Sequence, residues 1–180
     1  VELFDTLNDD FAGFDTREHA RCILLEMEDG LLPPYKRPQQ RYTETVLEAR
    51  GVDVRTRTAV ERVDPNRVHL QGGGSIDTQT LVWAAGVEAS PVADMLGSKQ
   101  ARDGRVIVTP NLSVPGHPTV YAVGDMAAIE GQDGYEPQLA QVALQSGRHA
   151  AKQIQRDLRG GTRESFAYWD LGQMATIGRN

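Results

Sequence analysis

The stretch TVYAVGDMAAIEGQDGYEPQLAQVALQSGRHAAKQI, residues 119–154, indicates the fold class because a strand pattern and a helix pattern follow each other in it. A short apolar run stops at Gly124-Asp125, which is typical of a buried strand that ends at a turn. After Pro137, apolar residues recur at three- and four-residue spacing and predict a helix to about Leu158. A buried parallel strand followed by a helix indicates an open α/β sheet.

The Gly124-Asp125 pair is the first candidate binding feature. A parallel strand would deliver Asp125 to the carboxyl edge of the sheet, which is the usual ligand crevice of an open α/β fold. A carboxylate only accepts hydrogen bonds, so it suits a chain of polyol hydroxyls. Alternatively, Asp125 caps the N-terminus of the following segment, a role worth about 1 kcal/mol.

The helix after Pro137 is the second candidate feature. Pro137 fits the first helical position, and the positive end of the helix dipole beside it would stabilise an anion. Gln141 and Gln145 are one turn apart on one face, where two amides could bind a ligand carbonyl. Alternatively, they are ordinary solvent-exposed glutamines. Small residues also recur on this helix and predict a flat packing face: Ala140, Ala143, Gly147 and Ala151.

Composition excludes several classes of protein. The net charge is −6 and no Lys/Arg cluster is present, which argues against a nucleic-acid binder. Cys22 is the only cysteine, so the sequence contains no internal disulfide or CxxC pair. No apolar run approaches the roughly 18 residues of a membrane span. The histidines show no metal-ligand spacing, so we expect no metal site: His19, His69, His117 and His149.

The first half predicts a βαβ unit followed by a small β meander. RCILLEM reads as a strand buried on both faces that ends at Glu26, and Arg37 to Arg50 reads as a helix closed by Gly51. VDVRT, AVERVD and RVHLQ read as short strands, with the glycines at 72–74 as a turn. An acidic residue in the position of Glu26 binds the adenine ribose in Rossmann folds; the alternative is a solvated strand end.

Three further segments complete the organisation of the chain. VWAAGV predicts a hydrophobic strand ending in Ala84-Ala85-Gly86, where small residues allow either a close ligand or a tight packing turn. The character of the sequence changes near 84–88, which predicts a domain boundary. Val1 to Phe11 reads as the end of a helix, and residues 164–178 as two short strands turning at 170–173. The chain opens abruptly in helix-like sequence, and we interpret it as a fragment.

Several stretches together resemble one known family. They are ILLEMEDGLLP, LVWAAGVEASP, GRVIVTPNLSVPGHPTVYAVGDMA, PQLAQVALQSGRHAAKQI and YWDLGQMATIGRN, covering about 26–180. The chain resembles the C-terminal half of type II NADH dehydrogenases, single-subunit flavoproteins of the pyridine nucleotide-disulfide oxidoreductase superfamily that reduce quinones without pumping protons. VGDM by itself indicates only the superfamily, whereas AQVALQ followed by GQMATIG is more specific.

The resemblance implies an α/β fold with two dinucleotide-binding domains, three-layer and Rossmann-like, lacking its N-terminal half. Residues 1–84 would be the C-terminal part of the NAD(H)-binding domain. Residues 85–160 would be the second segment of the FAD-binding domain, and 161–180 the start of the C-terminal region. Leu171 stands where many relatives carry lysine, so the resemblance supports no charge there.

The resemblance also implies roles for individual residues in FAD and quinone binding. Asp125 would hold the ribityl hydroxyls of FAD, and Gly124 would permit the close approach. Ala140 and Gln141 would lie at the pyrimidine end of the flavin. Gln141 and Gln145 would line the quinone pocket.

The remaining assignments concern NADH and the passage between domains. Ala85-Gly86 would lie where the chain re-enters the FAD domain. Glu26 would bind the ribose of NADH and repel the 2′-phosphate of NADPH. No catalytic acid, base or nucleophile is needed, because the flavin supplies the chemistry.

The function implied is a respiratory relay from NADH through FAD to a quinone, inactive in this fragment alone. The full-length protein would be cytoplasmic and peripheral on the inner face of the membrane, attached through a C-terminal region outside this chain; a homodimer is one option for its oligomeric state. Two alternatives stay open. A ferredoxin- or disulfide-type reductase of the same superfamily would carry a cysteine pair upstream, and a non-catalytic nucleotide-binding domain would lack GxGxxG there.

Overall fold

The computed structural model describes residues 20–177 together with Thr6, Asp10 and Phe11. The described residues form a mixed α/β fold of two helices longer than two turns and many short strands. They divide into two compact units, one within Val1–Trp83 and Met174–Asn180 and the other within Ala84–Gln173. The helix predicted over Val1 to Phe11 lies almost wholly outside the described residues.

The first unit contains the predicted βαβ arrangement. Strand β1 (Cys22–Leu25) leads into helix α1 (Arg37–Ala49), and β2 (Val52–Arg55) returns parallel to β1. Gly51 follows the helix with φ 84°, a left-handed conformation that ends the helix as predicted. The prediction that β1 is buried on both faces was wrong: its residues are half-buried or exposed, and β2 is its one partner among the described strands.

An antiparallel meander follows, also as predicted. It consists of β3 (Val60–Asp64), β4 (Arg67–Leu70) and β5 (Ser75–Asp77). The three consecutive glycines at 72–74 all have positive φ, so they form the turn between β4 and β5 where a side chain would be strained. Val68 on the central strand is buried at the core of this meander.

The second unit is built from short strand pairs and one long helix. A 3₁₀ turn covers Pro91–Leu96 and a second covers Gly124–Met126. The long helix, α2, spans Ala140–Leu158. The strands are β6 (Val106–Ile107), β7 (Ser113–Val114), β8 (His117–Tyr121), β9 (Ala127–Ala128), β10 (Glu130–Gly131) and β11 (Gly134–Tyr135). A buried cluster joins these elements, with Val106, Leu112, Val114, Ala122, Ile129 and Val142 among its members.

The strand before Gly124 differs from the prediction. It is the short strand β8, mostly exposed and antiparallel to β7, rather than a buried parallel strand. Only two residues separate β7 from β8, and such a connection permits only an antiparallel hairpin. Gly116 in this turn has φ 83°. The parallel pair of this unit instead joins β6 to β9, which begins just after the Gly124–Met126 turn.

Two other predicted strand regions are irregular. Residues 81–90 belong to no described sheet, and Val82 and Trp83 are 82% and 61% exposed, because no described strand lies alongside to pair with them. Residues 164–177, within the stretch 164–178 where two strands were predicted, also form none. Their main chain is bonded by side chains of α2 instead of by a neighbouring strand.

The start of α2 also differs from the prediction. The helix begins at Ala140 and not at Pro137, because the backbone of Leu139 is still extended (φ −123°, ψ 147°). Leu139 packs its side chain against the buried cluster in this conformation. Pro137 therefore precedes the cap instead of occupying the first helical position.

Candidate functional site

The turn at Gly124 is seated directly on helix α2. Gly124 has φ 62°, and a Cβ added there would lie 3.1 Å from the Cβ of Ala143. Its N–H donates a hydrogen bond of 3.0 Å to the Oγ of Ser146, which in turn donates one of 3.2 Å to the carbonyl of Ala143. Ser146 is completely buried. Only glycine combines this backbone conformation with so close an approach to the predicted flat face of the helix.

The side chain of Asp125 is exposed at this turn. Asp125 lies inside the 3₁₀ turn, whose cap residue is Val123, and α2 is capped by Leu139, so the alternative that Asp125 caps a helix was wrong. The amide of Gln138 donates a 2.9 Å hydrogen bond to the main-chain carbonyl of Asp125. Among the described residues none donates to its carboxylate, so this group is available to a hydroxyl donor.

The N-terminus of α2 lies close to this turn, because the helix begins at Ala140 and the turn contacts Ala143. Its cap, Leu139, offers no side-chain hydrogen bond, and the first turn holds no acidic residue. The backbone N–H groups of the first turn therefore lack side-chain acceptors, and the positive end of the dipole is uncompensated there. Ala140, the first helical residue, is exposed and adds no bulk at this position. The predicted anion-stabilising end thus lies at Ala140.

The two glutamines bind main chain far along the sequence. The Nε2 of Gln145 donates to the Trp169 carbonyl at 2.9 Å, and its Oε1 accepts from the Trp169 N–H at 3.0 Å. The Nε2 of Gln141 donates to the carbonyl of Gly172 at 3.2 Å, and the Tyr168 hydroxyl donates to its Oε1 at 3.2 Å. The interpretation of both as ordinary solvent-facing residues was wrong.

A cleft of about 920 Å³ lies between the β10–β11 hairpin with the residues after it and the segment 166–173. Aromatic and acidic side chains dominate its lining: Glu130, Asp133, Tyr135, Glu136, Phe166, Tyr168, Trp169 and Asp170. No local sequence pattern predicts this cleft, because its two walls are about thirty positions apart along the chain.

The electrostatics of the cleft disfavour anions. Burial raises the pKa of the Glu136 carboxyl, and the nearby negative charge of Asp170 raises it further. Burial also raises the pKa of the Tyr168 hydroxyl, with Asp170 and Glu136 adding to the effect. Acidic groups and aromatic faces together suit a neutral or cationic ring better than a phosphate or carboxylate.

In the first unit, Glu26 follows β1 at the carboxyl edge of the parallel pair, as predicted. Its N–H donates to the carbonyl of Arg55 at 2.9 Å, which continues the ladder to β2. The side-chain Oε1 accepts the N–H of Glu28 at 2.8 Å. The carboxylate is thus oriented by the local turn and keeps its other oxygen for a ligand hydroxyl.

Ala85 and Gly86 are exposed in an irregular stretch of the second unit. Gly86 has φ 130°, a conformation that disfavours any side chain, and no described atom lies within 4 Å of an ideal Cβ there. A tight packing turn against the described residues therefore does not explain the glycine. The positive φ of the backbone at this position explains it instead.

Two kinds of feature are absent from the part of the chain that the structure describes. No group of three or more His, Cys, Asp or Glu side chains there is arranged to hold a metal ion. None of the helices there combines the length and apolar character that crossing a bilayer requires.

The family of the chain follows from its sequence match. Residues 10–147 match the family model described as pyridine nucleotide-disulphide oxidoreductase. The chain belongs to the pyridine nucleotide-disulphide oxidoreductase family. The chain is 36% identical over 185 residues to the type II NADH:quinone oxidoreductase Ndh of Mycobacterium tuberculosis. The match covers 97% of the chain and 39% of the relative, so the chain spans about two fifths of that protein's length.

Solved structures of similar fold include a reductase and an oxidoreductase. A ferredoxin reductase from Rhodopseudomonas palustris superposes with a TM-score of 0.65 at 17% identity, covering 82% of this chain and 37% of that one. An FAD-dependent pyridine nucleotide-disulphide oxidoreductase from Desulfovibrio vulgaris gives 0.62 at 22% identity, covering 92% and 41%. At these identities the likeness shows the α/β fold of the family and no finer property.

Proposed function

We propose that this chain is part of a flavoprotein that oxidises NADH and reduces a quinone. When bound, FAD would supply the redox chemistry, taking hydride from NADH and passing two electrons to the quinone. The observation that carries the proposal is the packing of the Gly124-Asp125 turn against Ala143 and Ser146 of α2, the part of the helix that also carries Gln141 and Gln145. A site for a polyol chain beside a site for a ring suits the ribityl chain and the ring system of a single flavin.

The residues of this turn fit FAD. The free carboxylate of Asp125 would accept hydrogen bonds from ribityl hydroxyls. The lack of a side chain at Gly124 permits the close approach of the turn to Ala143 of α2, which would place that carboxylate beside the helix. Ala140 leaves space at the first turn of α2, and Gln141 follows it at the pyrimidine end. The uncapped N–H groups of that turn would stabilise negative charge at the N1/O2 edge of the reduced ring.

NADH is assigned to the first unit. The free oxygen of Glu26 would accept the ribose hydroxyls, and its charge would repel a 2′-phosphate, so NADH is preferred over NADPH. Ala85-Gly86 would mark the return of the chain to the FAD domain. On this proposal residues 1–84 belong to the NAD(H) domain, 85–160 to the FAD domain and 161–180 to the C-terminal region.

The quinone is assigned to the glutamine face of α2. A primary amide has two N–H groups and two acceptor positions, and Gln141 and Gln145 each use one of both on the chain itself. Each therefore keeps an N–H for a quinone carbonyl. Trp169 and Tyr168 lie beside them and offer aromatic faces to the quinone ring.

The wider setting is also proposed, from the resemblance described under the sequence analysis. The full-length protein would be cytoplasmic and lie on the inner face of the membrane, attached through a region outside this chain, where a lipid-soluble quinone is accessible. A homodimer is compatible with this arrangement.

Replacing Gln145 tests the quinone assignment. In the full-length protein, Gln145→Leu should slow reoxidation of the reduced flavin by a short-chain quinone at least about tenfold, because it removes the N–H proposed for the quinone carbonyl together with both hydrogen bonds to Trp169. Reduction of the flavin by NADH should be unchanged. Stopped-flow absorbance measures each half-reaction separately. Gln155→Leu on the same helix, exposed and without a described hydrogen bond, is the control; equal loss of both half-reactions in Gln145→Leu would contradict the assignment.

A second candidate function is a ferredoxin- or disulfide-type reductase, which the structural likeness to a ferredoxin reductase supports at the level of the fold. Cys22 is the only cysteine of this chain, so a redox pair would have to lie elsewhere in the protein. Full-length protein that reduces ferredoxin or a disulfide but no quinone would favour this candidate. A protein that binds nucleotide without turnover would favour the non-catalytic alternative.

A further inference from the structure

Four side chains of α2, spaced four residues apart, bind the main chain of the segment that follows the helix. We call Gln141, Gln145, His149 and Gln153 the side-chain ladder. In addition to the glutamine contacts above, the Nε2 of His149 lies 3.0 Å from the carbonyl oxygen of Glu164. The Oε1 of Gln153 accepts the N–H of Glu164 at 2.8 Å. The partners run in reverse order, from Glu164 through Trp169 to Gly172.

This spacing explains how one helix can hold an irregular segment. Residues four apart lie on one helix face, so the ladder extends about 18 Å along α2. The segment 164–172 has no strand beside it among the described residues, and its polar main-chain groups need partners. The ladder supplies donors and acceptors to both kinds of group. Gln153 is only 1% exposed, which makes its bond costly to lose.

Ring packing adds to the hydrogen bonds in the C-terminal half of the ladder, at His149 and Gln153. The rings of His149 and Phe166 meet edge to face, with centroids 5.4 Å apart. The N–H of Phe166 also donates to the carbonyl of Pro110 at 2.7 Å, which ties the segment to the buried cluster. The segment is therefore held in one position although it contains no helix or strand.

The segment forms one wall of the cleft, and none of the ladder residues lines the cleft itself. We propose that the ladder residues are positioning residues that fix the aromatic wall formed by Phe166, Tyr168 and Trp169. That the ladder fixes the wall follows from hydrogen bonds within the chain and needs no assumption about a ligand. Its effect on turnover rests on the proposed quinone function.

Amide exchange of the ligand-free full-length protein tests the ladder. Gln145→Met keeps the length of the side chain and removes both bonds to Trp169, so the Trp169 amide should exchange about tenfold faster. Gln145→Glu keeps the acceptor for the Trp169 N–H and should restore part of the protection. Gln155→Met on the same helix should leave exchange over 164–172 unchanged. Unchanged exchange in Gln145→Met, or equal acceleration in Gln155→Met, would overturn the ladder.

A second variant separates positioning from general stability. His149→Phe keeps a ring against Phe166 and removes the bond to Glu164, so exchange should rise in the first half of the segment. In turnover assays it should raise the quinone KM severalfold while NADH reduces the flavin at the normal rate. Faster exchange with an unchanged KM would overturn the positioning role. Exchange requires neither quinone nor nucleotide, so failure of the proposed function leaves this readout decisive for the ladder.

Discussion

Gly124→Ala is expected to destabilise the protein and impair FAD retention, whereas Gly147→Ala is expected to stabilise it slightly. At φ 62° a non-glycine residue costs about 1–3 kcal/mol. The new Cβ would also lie 3.1 Å from the Cβ of Ala143 and push the turn away from the helix. That shift would break the bond from the Gly124 N–H to the buried Ser146.

Gly147 provides the matched control because it lies on the same helix. No described atom lies within 4 Å of an ideal Cβ at Gly147, and an alanine in a helix interior gains about 0.5–1 kcal/mol over glycine. The free energy of unfolding from urea titration and the flavin absorbance of purified full-length protein measure both effects. Two substitutions of equal size should therefore change stability in opposite directions. A Gly124→Ala protein as stable as the wild type would show that the turn is not held on α2.

Asp125→Ala should weaken FAD binding by about 10- to 100-fold with little change in the fold. A hydrogen bond to a charged group contributes about 1.5–3 kcal/mol, and each 1.4 kcal/mol is tenfold in affinity. Because the Asp125 side chain is exposed and no described residue donates to its carboxylate, the folded protein loses no internal bond. The affinity for FAD should therefore fall without a matching fall in the free energy of unfolding. A structural defect would lower both.

Titration of FAD into the apoprotein, followed by flavin fluorescence, measures this affinity, and far-UV circular dichroism monitors the fold. Glu88→Ala in the same unit removes an exposed carboxylate at a position with no proposed role and should leave FAD affinity unchanged. An Asp125→Ala protein that binds FAD as tightly as the wild type would remove Asp125 from the site.

Features that depend on neighbouring residues were predicted well from the sequence. Helix α1 ends just before Gly51, and the meander turns at the glycines of 72–74, because turn and cap chemistry act over a few residues. The parallel return of β2 to β1 also followed from the order strand, helix, strand. The family was identified from five stretches, and the match over residues 10–147 confirms it.

Features that depend on distant partners were predicted poorly. The apolar run before Gly124 has the composition of a buried strand, yet the short turn at Gly116 pairs β8 antiparallel to β7. Gln141 and Gln145 bind main chain some 24 to 31 positions away, which no local pattern encodes. The four-residue spacing that includes His149 and Gln153 was visible in the sequence. The role of this spacing became clear only from the structure, which shows the segment that these side chains bind.

The most direct test is an anaerobic two-step experiment on the purified full-length protein. We expect this protein to contain stoichiometric FAD. NADH should bleach the flavin absorbance, and a short-chain quinone should restore it with quinol as the product. A full-length protein without bound flavin, or one whose NADH-reduced flavin is not reoxidised by quinone, would contradict the proposed function.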